Sequence, residues 1–238
     1  MGRRELLNRT SWDDGYGMIA YTADALALAS ADGDNQVGNL ASRAEQLLTQ
    51  WDALNAERRA KRRAVGKAHA LVRRRDIQAD SLVVDIHHDT MALVRQDREA
   101  PLFTRLFPDP LSLVVKMALE SELPVLRVLG LKLEESETPV TLRQSHGKAL
   151  ADVIEKGNAA IKGREEAFAA AGRVSAQIAS WRENANATML GIEGVLKQVA
   201  SERKLGPEWV DTFFPAAERG KKGKKDKAPE ASQAAKTG

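Results

Sequence analysis

The 238-residue chain contains no cysteine. That absence excludes disulfide frameworks, thiolate metal sites, iron–sulfur clusters and cysteine nucleophiles together. Aromatic residues are scarce, at 5%, and the few prolines are concentrated between Pro101 and Pro139. No stretch approaches the roughly 18 uncharged apolar residues of a membrane-spanning helix. The most apolar region, 111–133, is broken by Lys116, Glu120, Glu122 and Arg127. The opening "MGRRELLNRTSW" has basic residues with no apolar run behind them, so no secretory signal is read and a soluble, cytoplasmic protein is expected. Walker, G-x-G-x-x-G, G-x-S-x-G and H-E-x-x-H patterns are all missing, so no cofactor is expected.

What is abundant is Ala, Leu, Glu, Lys and Arg, among the residues that lose least on entering a helix. The expected fold class is all-α: an elongated antiparallel helical bundle of two long heptad-patterned helices, shorter flanking helices and an irregular apolar tip. The first long helix shows an unbroken three-four spacing through Val37, Leu40, Ala44, Leu47, Trp51, Leu54, Arg58, Lys61, Val65, Ala68 and Val72. The second opens at Thr138–Pro139 and repeats the pattern through Leu150, Val153, Gly157, Ala160, Arg164, Ala167, Ala171, Val174, Ile178 and Trp181. A break or kink is expected near 184–187, although the spacing also allows one helix to about 203. Flanking helices are predicted over 12–31 and over 80–99, the latter capped by Asp80 after a connection at 76–79. Residues 1–215 are assigned to the bundle, with 100–137 as the irregular tip and 111–133 reading as either helix or strand. From 216 to 238 the Lys/Ala-rich composition predicts a disordered tail.

The net charge of +3 hides a strong segregation. Residues 57–75, "ERRAKRRAVGKAHALVRRR", carry nine Lys/Arg against Glu57 alone. Arg58, Arg59, Lys61, Arg62, Arg63, Lys67, Arg73, Arg74 and Arg75 are therefore candidates for binding a polyanion, joined by Lys221, Lys222, Lys224 and Lys225 of the tail segment 219–227. Such contact with nucleic acid would be non-specific and salt-sensitive. The competing reading is internal neutralisation, because a hairpin about 76–79 would lay Asp80, Asp85, Asp89, Asp97 and Glu99 alongside the arginines.

One further stretch, "VVDIHHDTMALV" (83–94), sets His87, His88 and Asp89 side by side. The same hairpin would bring His69 to Asp85, giving His69, Asp85, His88 and Asp89 as a candidate metal set and a metal-dependent hydrolase as one reading. The two letters His88–Asp89 match the dyad of the HD-domain phosphohydrolases, but the flanking residues depart from that family's pattern and it is not assigned. A polar seam on a buried helix accounts for the stretch without a metal.

The sequence thus favours a non-enzymatic structural, adaptor or assembly protein that works through a protein partner or a homo-oligomer. Its candidate contact surface is Leu111, Leu113, Val115, Leu126, Val128 and Leu131. Nothing in the sequence points to a particular small-molecule ligand.

Overall fold

The computed structural model describes residues 11–215, and every regular element among them is helical. The elements are α1 (Trp12–Ala31), α2 (Asn35–Leu93), α3 (Pro101–Leu106), α4 (Leu111–Val114), α5 (Leu119–Glu134), α6 (Val140–Glu202) and α7 (Pro207–Asp211). The described residues divide into two compact units, 11–51 with 182–215, and Asp52–Trp181. The expected tail, 216–238, lies outside the described residues, as do its candidate lysines Lys221, Lys222, Lys224 and Lys225.

In the first unit, α1 begins where Ser11 accepts a hydrogen bond from the Asp14 backbone N–H, at 3.1 Å. Its buried face comprises Trp12, Ile19, Ala23 and Leu26, which recur at helical spacing. The start of α2 answers with Val37, Leu40, Ala44, Leu47 and Trp51, and the end of α6 with Ala185, Ile192, Leu196 and Val199. Trp51 stacks on Trp12 with ring centroids 5.3 Å apart and donates its indole N–H to the Trp12 carbonyl oxygen at 3.3 Å. Both terminal guanidinium nitrogens of Arg203, Nη1 and Nη2, donate to Asp34, at 2.7 and 2.8 Å, which ties the end of α6 to the start of α2.

The second unit has one contiguous core, and α5 supplies Leu119, Leu123, Leu126, Leu129 and Leu133 to it. Burying each leucine contributes about 1.5–3 kcal/mol. Gly157 lets α5 approach α6 closely, since a Cβ there would lie 2.8 Å from a Leu123 methyl. Within this unit α2 and α6 are antiparallel, because Asp89 meets His146 and His69 meets Phe168.

Three sequence expectations change. The connection at 76–79 does not exist: α2 continues unbroken to Leu93, so no separate helix starts at Asp80. The reason is that the seam keeps its spacing past Val72, through Asp76, Ala79, Val83, Ile86 and Thr90, with no glycine or proline to stop it. Nor does α6 break near 184–187; it runs from Val140 to Glu202. Finally, the segment assigned as an irregular tip contains α3, α4 and α5, and 119–134 is helix rather than strand even with Pro124 inside it. The three-four positions named in both long helices are all buried or half-buried.

Candidate polyanion interface

The unbroken course of α2 decides the electrostatics of 57–75. Asp80, Asp85 and Asp89 lie further along the same helix instead of beside the arginines. From Ala56 to Leu71 no residue is buried, and the half-buried ones include Arg58, Lys61, Val65 and Ala68 on the seam. Arg59, Arg62, Arg63, Lys67, Arg73 and Arg74 are exposed. At about 100° per residue these six fall within an arc of roughly 140° on the side of α2 opposite the seam. From 59 to 74 the arc is about 22 Å long. None of the six makes an ion pair or side-chain hydrogen bond with a described residue. Arg75 donates to Gln78 Oε1 at 2.6 Å, a neutral partner.

Antiparallel pairing puts residues near 161–179 of α6 opposite this stretch, as the His69–Phe168 contact marks. That part of α6 carries Glu165 and Glu166 against Lys162, Arg164 and Arg173, so it adds no net negative charge. Arg164 is already engaged with Glu120. The result is a row of long cationic side chains, none of them ion-paired with a described acid, although Glu57 and Asp76 stand at its two ends.

The candidate metal set is not gathered. His69 packs edge-on against Phe168, with centroids 5.2 Å apart. It is about 24 Å from Asp85 along the same helix. Asp85 and His88 are exposed. Asp89 instead accepts a hydrogen bond from His146 Nε2 at 2.7 Å. Among the described residues no group of three or more His, Asp or Glu side chains has the arrangement to hold a metal ion. His87 packs edge-on against the rings of Phe103 and Phe107, so His87, His88 and Asp89 occupy three separate environments.

The apolar contact candidates divide as well. Leu126 is fully buried in the core and offers no surface. Leu111 and Val115 are half-buried, whereas Leu113, Val128 and Leu131 are exposed, Leu131 at 72%. Beneath Val128 a cavity of about 220 Å³ is walled by Val83, Phe107, Val114, Val125 and Leu129.

Sequence reasoning passed over Glu122. It is fully buried, and neither carboxylate oxygen has a hydrogen-bond partner. Burial first, then the charges of Asp80 and Asp76, push its carboxyl up to about 8. Asp80 is also raised, by burial and then by Asp76. The signal was present, because Glu122 occupies the same three-four stripe as Leu119, Leu126, Leu129 and Leu133.

Comparison with protein-family models, with curated proteins and with solved structures gives no match. No family is assigned. Among the described residues no helix is long and apolar enough to cross a membrane.

Proposed function

We propose that this is a non-enzymatic binding protein whose working surface is the arginine-rich arc of α2, and that the partner is nucleic acid held through its phosphates. The observation that carries the reading is that Arg59, Arg62, Arg63, Lys67, Arg73 and Arg74 are exposed and ion-paired with no described acid, the acids Asp80, Asp85 and Asp89 lying further along α2. Phosphate contacts of this kind supply affinity without base readout. The test is fluorescence anisotropy of a labelled duplex titrated with the full chain across a salt series. The logarithm of affinity should fall linearly with the logarithm of salt, with a slope reaching about −5 if all six cations engage phosphates. Reversing Arg59, Arg62, Arg63 and Lys67 to Glu together should abolish binding. Salt-independent binding, or binding unchanged by the reversal, contradicts the proposal.

A second reading, contact with a protein partner or a second copy, is favoured by the exposed apolar face of α5. Val128 and Leu131 lie on that face, three residues apart. Light scattering over a concentration series separates the two, since self-association should disappear in a Val128→Lys, Leu131→Lys variant that still binds duplex.

A further inference from the structure

At the C-terminal end of α2 the second unit holds a cleft of about 670 Å³, within the range of small-molecule sites. One wall is His87, whose ring is held edge-on by Phe103 at 5.3 Å and Phe107 at 5.1 Å. Arg98, from the segment that follows α2, also lines the cleft. That segment turns through two consecutive non-glycine residues in the left-handed region, Arg95 at φ 56° and Gln96 at φ 66°. They close the end of α2, the Gln96 N–H donating to the Met91 carbonyl oxygen at 2.9 Å and the Arg95 N–H to that of Ala92 at 3.2 Å. Here they bring the chain back so that Arg98 lines the same cleft as His87.

Neither His87 nor Arg98 has a hydrogen-bond or ion-pair partner among the described residues. Asp109 also lines the cleft yet forms no ion pair with Arg98. Leu111, the prolines and the aromatic edges supply the apolar lining, with Thr104 and Ser112 adding hydroxyls. Burial, then the charge of Arg98, then His88 lower the His87 basicity, so near neutral pH the imidazole is uncharged and retains one N–H to donate.

We infer that this cleft is a binding site for a small organic carboxylate. The carboxylate would sit on the Arg98 guanidinium, which matches it in planar geometry and charge. The His87 N–H would supply a second donor, and the apolar body would lie against Phe107 and Leu111. Asp109 would disfavour additional negative charge on the ligand. This site is separate from the arginine arc and stands whether or not the chain binds nucleic acid.

The experiment is calorimetry and histidine-ring NMR on the full chain, with octanoate as probe and octan-1-ol as its neutral counterpart. His87 is assigned by the signal lost in His87→Gln. Octanoate should saturate, shift the His87 ring signals and raise the pH at which they titrate. Octanol should bind at least tenfold more weakly. Arg98→Gln should weaken octanoate at least tenfold, while Asp109→Asn should strengthen it. Both positions are exposed, so these variants keep the fold. Equal affinity for octanoate and octanol, an unaffected Arg98→Gln variant, or His87 signals unmoved at saturating octanoate would each overturn the inference.

Discussion

Removing the carboxylate of Glu122 should stabilise the protein, and the gain should grow with pH. Glu122 is fully buried on α5, faces the charges of Asp80 and Asp76 on α2, and finds no hydrogen-bond partner. Its pKa in the folded chain is about 8, against an ordinary value of 4.5. The folded state therefore holds this proton more tightly than the unfolded state does. Stability from the protonated form is complete below about pH 4.5 and is lost as the pH rises to about 8. The gap corresponds to roughly 3–5 kcal/mol. The raised carboxyl of Asp80 acts in the same direction. Glu122→Gln should flatten this part of the pH profile, and Glu122→Leu should also remove the unpartnered polar group. Urea unfolding followed by circular dichroism at pH 5 and pH 9 gives the comparison, with hydrogen exchange of α5 amides reporting on the unit concerned. The wild-type deficit relative to Glu122→Leu should widen by about 3 kcal/mol or more between the two pH values. A deficit that stays constant, or narrows toward pH 9, would refute the placement of a buried, raised carboxyl.

Glycine positions in α6 should separate by what surrounds them. Gly157→Ala should destabilise by about 1–2 kcal/mol, because the new methyl collides with Leu123 in a packed interface. Gly163→Ala and Gly172→Ala meet nothing within 4 Å and should each stabilise by about 0.5–1 kcal/mol through helix propensity, as thermal unfolding would register. Asp89→Ala should cost about 1–2 kcal/mol by leaving the buried His146 without its partner, whereas Asp89→Asn should cost less because its amide oxygen can still accept. A denaturation series on the two variants distinguishes these outcomes.

Much of this architecture is legible in the residues, and the failures have a common cause. The helix expected over 12–31 matches α1, whose apolar face repeats at helical spacing. The two seams are visible because apolar positions at three-four spacing must be covered. What misled was polarity inside a seam. Asp76 and Thr90 sit at covered positions of α2, so the polar run "RDIQAD" resembles a connection although the spacing passes straight through it. The same error hid Glu122, a carboxyl in a leucine stripe. In α5, exposed Val128 and Leu131 add apolar residues outside the buried stripe, which blurs the helical period and leaves strand open as a reading. Placement of His87 against Arg98 depends on a left-handed turn through Arg95 and Gln96, which no local pattern announces.

An uncancelled arginine arc requires α2 to pass unbroken through 76–79, since a hairpin there would bring acids alongside it. The absence of cysteine allows that point to be measured without background labelling. Spin labels placed at the exposed positions Ala64 and Ala92, as Ala64→Cys and Ala92→Cys, report the distance by pulsed double electron–electron resonance. A continuous helix separates their backbones by about 42 Å. A mean distance near 40 Å supports the uncancelled arc; one near 10 Å, the spacing of paired antiparallel helices, would contradict it.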